Sequence, residues 1–137
     1  MITNTLHIKN ELGQLSLVTS FIEHEIETVG ISNECSMQIR LALEEVVTNV
    51  ILYAYPSQSG QDLSIDLAYK DGKLQITVID TGIPFNPMEI EDPDLTLSVD
   101  KRPIGGLGIF IAKKLMNEVH YCRTDGKNIL TMVKNVD

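Results

Sequence analysis

Cysteine is scarce in this chain of 137 residues: Cys35 and Cys122 are the only two, far apart and without metal-ligand spacing. That excludes a disulfide framework. Both fit the ordinary place of a free cysteine, a small buried hydrophobe in a reducing compartment. Histidine is as sparse, three scattered residues that suggest no zinc site. Basic residues are outnumbered, 11 Lys and Arg against 19 Asp and Glu, for a net charge of −8. Such a surface repels phosphate backbones and anionic lipid, so neither direct nucleic-acid binding nor a membrane partner is expected. No apolar run reaches the ~18 residues of a membrane span. Met1 to Thr5 shows no basic region leading into an apolar core, so no secretory signal is expected and a cytoplasmic location is. A local phosphate site stays compatible with the charge, because helix N-termini and metal ions act inside acidic proteins too.

What is present is ordinary for a soluble globule: 43% hydrophobic and 22% charged residues. The length suits one domain, 1–137, able to bury roughly two-thirds of its unfolded surface without staples. Leu6 and Ile8 share a face of a short strand over Thr5 to Ile8. From Glu11 to Val29, apolar residues at Leu12, Leu15, Val18, Phe21, Ile22, Ile26 and Val29 keep helical intervals, and Gly30 is a natural stop. Ser32 is placed to cap a second helix with Glu34 in its first turn, running to about Tyr55, before Pro56. Leu63, Ile65 and Leu67 alternate with polar residues. Lys70-Asp71-Gly72-Lys73 reads as a hairpin turn, and Leu74, Ile76 and Val78 as the return strand.

Thr81 to Pro103 holds four of the five prolines and many acids, and is too long for an ordinary connection. Gly105-Gly106-Leu107-Gly108 opens a third helix, to about Glu118. Val119–Thr124 and Ile129–Val133 form a last hairpin around Asp125-Gly126. The order β-α-α-β-β-loop-α-β-β defines an α+β fold, a two-layer sandwich with helices on one face of a mixed, mostly antiparallel sheet.

Three groups of residues could carry chemistry. Glu45 and Asn49 lie four apart and share one helix face, within a segment apolar nearly all round. An unpartnered buried polar group costs ~1–3 kcal/mol. Either they satisfy neighbouring backbone or lie at an exposed edge, or they act as a carboxylate base and an amide oxygen facing a ligand or hard cation. Glu44, about a hundred degrees round the helix, should point elsewhere.

Asp80 continues the apolar row of Leu74, Ile76 and Val78 at a strand end. It is either part of a plain strand-to-loop turn or a buried acceptor for a ligand amino group, with Gly82 letting a flat ligand reach the backbone. Gly105, Gly106 and Gly108 stand at a helix start, where free N–H groups and the dipole suit phosphate. The spacing matches neither a Walker loop nor a Rossmann fingerprint, and alone it reads equally as a flexible joint.

In this order and spacing the three groups resemble the GHKL (histidine-kinase-like) ATPase superfamily over essentially the whole chain. Glu45-Val46-Val47-Thr48-Asn49 matches its N-box. Asp80-Thr81-Gly82-Ile83-Pro84-Phe85 matches the first glycine box, and Gly105-Gly106-Leu107-Gly108-Ile109 the second. More narrowly, the chain is similar to bacterial anti-sigma-factor serine/threonine kinases, which are small and lack a phosphoacceptor domain.

That resemblance implies ATP and Mg2+ as cofactors. Asn49 becomes the magnesium ligand and Glu45 the catalytic general base. Asp80 is the adenine acceptor with Gly82 beside the ring, Gly105, Gly106 and Gly108 are the phosphate wrap, and residues 86–104 are a lid. It implies a serine on an anti-anti-sigma (STAS-type) protein as substrate, a sigma factor as second partner, and a homodimer. Lys101 and Arg102 either offset phosphate charge or lie on a solvated lid edge. The acidic run Glu89, Glu91, Asp92 and Asp94 should face solvent or a basic partner.

The chain departs from the family at Asn128, where relatives often carry Thr near the adenine, and at Tyr53-Ala54-Tyr55, where they often carry His. Two rivals to the kinase are a nucleotide-binding switch without phosphoryl transfer and a pure interaction module.

Overall fold

A computed structural model describes residues 2–56, 58–84, 86 and 106–136, the side chains of 106–108 excepted. The chain begins with β1 (Ile2–Lys9), then a single 3-10 turn (Leu12–Gln14) that leads into α1 (Leu15–Val29). Gly30 ends α1 in the left-handed region at φ 82°, its N–H donating to the Ile26 carbonyl. Few other residues take that φ without strain. Next come α2 (Asn33–Asn49), β2 (Asp62–Lys70), β3 (Lys73–Asp80), α3 (Gly106–Leu115), β4 (Glu118–Thr124) and β5 (Lys127–Asn135). The element order and α+β class are those expected from the sequence.

Ser32 caps α2 as its position predicts: its side chain accepts from the Cys35 N–H at 3.3 Å, and Glu34 sits in the first turn. The far end differs from expectation. In place of α-helix to Tyr55, Val50–Ala54 widens into a π turn. Such turns interrupt a helix where the backbone is needed for other contacts, and here the Ala54 carbonyl accepts from the Ile83 N–H at 2.9 Å. α3 also stops early, at Leu115 rather than Glu118. The Asn117 N–H is taken by the Val133 carbonyl at 2.9 Å, which starts the sheet pairing of β4.

The sheet has five strands in the order β1-β2-β3-β5-β4, and the described pairings are all antiparallel. Both hairpin turns put Asp-Gly pairs at positive φ: Asp71 and Gly72 at 51° and 78°, Asp125 and Gly126 at 51° and 75°. Paired positive φ is the mirror-type turn whose twist matches flanking strands. It fixes Thr124 opposite Lys127, and Arg123 opposite Asn128.

Strand alternation gives one buried face. Leu63, Ile65, Leu67, Leu74, Ile76, Val78 and Met132 point into the core, against Val18 and Ile22 of α1 and Ile39, Leu43, Val46 and Val47 of α2. Each such side chain contributes about 1.5–3 kcal/mol by leaving water. This packing fixes α2 over β3 and β5, and that placement positions the site. No helix among the described residues is long and apolar enough to cross a membrane.

A candidate nucleotide cleft at the end of β3

The cleft is built where the apolar row of β3 runs out. Parity puts Asp80 on the buried face after Val78, and it is 4% exposed. Across the ladder stands Asn128 of β5, and across from that Arg123 of β4. Asp80 Oδ1 accepts from the Gly82 N–H at 2.8 Å and from Asn128 Nδ2 at 2.9 Å. Asn128 Nδ2 also donates to the Ile83 carbonyl at 2.7 Å, while Asn128 Oδ1 accepts from the Tyr121 hydroxyl at 2.5 Å. Arg123 Nη1 donates to the Gly82 carbonyl at 2.7 Å.

Burial pushes the Asp80 carboxyl above its ordinary value. The bonds from Asn128 and Gly82 and the Arg123 charge pull it back without cancelling the effect. Both hydrogen bonds use Oδ1, and no bond among the described residues is to Oδ2.

That cleft is lined by Val46, Asn49, Val50, Ala54, Val78, Asp80, Ile109, Tyr121, Asn128 and Leu130. It is mostly apolar with a few convergent polar groups, the character of a small-molecule site. One wall comes from each of the three motifs: Val46 and Asn49 from the first, Asp80 from the second, Ile109 from the third. Asn49 is 9% exposed at the end of α2. Glu45, one turn earlier, is half-buried and is not part of the lining. Glu44 turns toward α1, as its angle predicts, and accepts from the Thr19 hydroxyl at 3.2 Å.

Gly82 meets a constraint from the protein itself. A Cβ there would lie 2.2 Å from the Ala54 carbonyl oxygen and 2.7 Å from the Ala54 carbonyl carbon. The end of β3 therefore lies directly on the π turn, and only glycine fits. Tyr55 ties the same junction. Its hydroxyl donates to the Asp62 carbonyl at 2.9 Å and accepts from the Thr81 N–H at 2.7 Å. This gives Ala54 and Tyr55 of the Tyr53-Ala54-Tyr55 run a structural role.

Gly106 and Gly108 lie in the first turn of α3. Gly105, Lys101, Arg102, the acidic run and all of the expected lid save Asn86 lie outside the described residues. Sequence reasoning missed Tyr121, Arg123 and Tyr55. The register of the last hairpin was available to pair Arg123 with Asn128. Nothing in the sequence set β5 beside β3.

A cleft joining these three motifs at one end of an antiparallel sheet is the arrangement that the resemblance to histidine-kinase-like ATPases implies. The chain belongs to the histidine kinase-like ATPase domain family, whose profile matches residues 8–134. Among curated proteins it is similar to the serine-protein kinase RsbW of Listeria monocytogenes, at 26% identity over 123 residues, 87% of this chain and 75% of that one. It is also similar to the serine-protein kinase RsbW of Bacillus mycoides, at 26% over 106 residues, 74% of this chain and 66% of that one. Among solved structures, one containing the RsbU and RsbW domains of a Mycobacterium tuberculosis protein superposes with a TM-score of 0.68 at 18% identity. That match covers 97% of this chain and 32% of the other, and it shows a shared fold.

Proposed function

We propose that this protein is an ATP-dependent serine/threonine protein kinase and anti-sigma regulator, with residues 1–137 forming one ATPase domain and residues 86–104 its lid. The observation that carries the reading is the one cleft lined jointly by Asn49, Asp80 and Ile109. In it the Asp80 Oδ2 acceptor takes the adenine amino group with Gly82 alongside, and the start of α3 with Gly105, Gly106 and Gly108 wraps the phosphates. Resemblance to serine-protein kinases supports a protein serine as acceptor. The proposed partners are an anti-anti-sigma (STAS-type) protein, which is phosphorylated, and a sigma factor. We propose a homodimer in the cytoplasm.

The donors present fit magnesium. Among the described residues there is no cluster of three or more His, Cys, Asp or Glu that would hold a metal unaided. A neutral amide oxygen at Asn49 is instead a hard ligand of the kind that shares an ion with nucleotide phosphates and water. Magnesium held there would neutralise phosphate charge.

Glu45 is the general base: it takes the proton of the serine hydroxyl as that oxygen bonds to the γ-phosphorus and the bond to ADP breaks. Among the described residues its carboxylate makes no hydrogen bond.

The test is calorimetric ATP titration with and without Mg2+, paired with a phosphoryl-transfer assay on an anti-anti-sigma partner. Asn49→Ala is expected to lose magnesium-dependent binding. Glu45→Gln is expected to keep binding and lose about 10²-fold or more in transfer. Full transfer by Glu45→Gln would overturn the kinase assignment in favour of a nucleotide switch. No ATP binding by the unaltered protein would leave a pure interaction module.

A further inference from the structure

Hydrogen-bond capacity around Asp80 is almost wholly consumed by the protein. Asn128 presents Nδ2 to two oxygens, Asp80 Oδ1 and the Ile83 carbonyl, at 2.9 and 2.7 Å. The carbonyl accepts only, as does the ionised carboxylate, so the amide nitrogen must face them and Oδ1 must face Tyr121. The Tyr121 hydroxyl is thereby committed as a donor to Oδ1, at 2.5 Å. The Gly82 N–H is spent on Asp80, and Arg123 Nη1 on the Gly82 carbonyl.

We propose that Tyr121 and Asn128 are positioning residues that set the purine selectivity of this cleft. By absorbing the nearby donors and pinning Asp80 through Oδ1, they leave a lone acceptor, Oδ2, facing the base. This rests on the nucleotide-binding reading above and extends it to which base is admitted. A purine with an exocyclic amine gains a hydrogen bond there. One with an exocyclic carbonyl sets oxygen against oxygen and leaves a buried acceptor unpaired, and a site built to bond a donor rejects ligands that lack it. Once freed from Tyr121, the Asn128 amide keeps its bond to the Ile83 carbonyl but loses the one that fixes Oδ1, and it holds the carboxylate less firmly. The charged and titratable groups facing Asp80 are Arg123 and Tyr121 of β4; α2 brings the neutral Asn49, and α3 brings Ile109.

The experiment compares binding of ATP and inosine triphosphate, which carries a carbonyl in place of the amine, to the unaltered protein, Tyr121→Phe and Asn128→Ala. In parallel, the Asp80 carboxyl is titrated by carbon NMR without nucleotide. The unaltered protein is expected to prefer ATP roughly tenfold or more. Tyr121→Phe, which keeps the ring, should weaken ATP several-fold and leave inosine triphosphate nearly unchanged. Asn128→Ala should do so more strongly, and Asp80 should titrate at progressively higher pH across the two variants.

Equal losses for both nucleotides overturn the inference, since a merely structural pair would act that way. So does an unchanged preference with an unchanged Asp80 titration. Failure of the unaltered protein to bind either nucleotide overturns the functional reading and the selectivity with it. The NMR titration then decides by itself whether the pair positions the carboxylate.

Discussion

Replacing Gly82 by alanine adds one methyl group at the tightest backbone contact near the cleft. The new Cβ would stand 2.2 Å from the Ala54 carbonyl oxygen, and 2.7 Å from both the Ala54 carbonyl carbon and its Cβ. Two of those three atoms are backbone, so no side chain can swing aside. The end of β3 must withdraw from the π turn by about 1 Å before the overlap is relieved. Withdrawal strains the Ile83 N–H bond to the Ala54 carbonyl at 2.9 Å and the Gly82 N–H bond to Asp80 at 2.8 Å.

Overpacking of this kind costs about 1–3 kcal/mol, and one lost hydrogen bond about 1 kcal/mol more. The expected loss is therefore roughly 2–4 kcal/mol, or a fall in Tm of roughly 10 °C for a chain of this size. Urea unfolding measures it, with the slope checked for change. Gly126→Ala is the control: its φ is +75° and nothing lies within 4 Å, so only about 1–2 kcal/mol of backbone strain is expected. Ala54→Gly on top of Gly82→Ala should restore little, because the carbonyl remains. A Gly82→Ala protein within about 0.5 kcal/mol of the unaltered one, the margin of an ordinary surface change, would refute the contact as the reason for glycine.

Other outcomes follow from the same network. Because burial raises the Asp80 carboxyl above 3.8, ionising it costs more in the folded chain than in the unfolded one. Its unfavourable contribution therefore grows as pH rises from about 3.8 through the folded value. Asp80→Asn should equal the unaltered protein in stability below that window, match or exceed it at pH 7, and lose adenine-nucleotide binding; a marked loss of stability at pH 7 in urea melts would contradict the desolvation argument.

Tyr55→Phe removes the group that holds the Asp62 carbonyl and the Thr81 N–H. It should cost about 1–3 kcal/mol by thermal or urea unfolding, and no measurable loss would contradict the bridging role. Glu25 is 3% exposed with Oε2 lacking a partner among the described residues, its Oε1 accepting from Asn4 at 2.7 Å. Glu25→Leu should be neutral or stabilising by about 1 kcal/mol, and strong destabilisation in the same assay would show that the carboxylate has a compensating partner.

Much of this protein was determined by local sequence, because the relevant physics is local. Ser32 and Gly30 set helix ends through their own side chain or the lack of one. Two Asp-Gly pairs set both hairpins and the register within each. Alternation in β3 put Asp80 on the buried face from counting alone. The spacing of Glu45 and Asn49 followed from helical pitch.

What tertiary structure decided are contacts between segments far apart in the chain. β5 inserts between β3 and β4, which alone brings Asn128 to Asp80 and with it Tyr121 and Arg123. The π turn at Val50–Ala54 arises because the Ala54 carbonyl is claimed by a residue 29 positions later, Ile83, at 2.9 Å. Helix periodicity cannot foresee that claim. Gly82 shows both sides at once. A turn glycine was legible after Asp80, but its demand for zero side-chain volume comes from a backbone carbonyl that only the packed sheet and helix bring within reach.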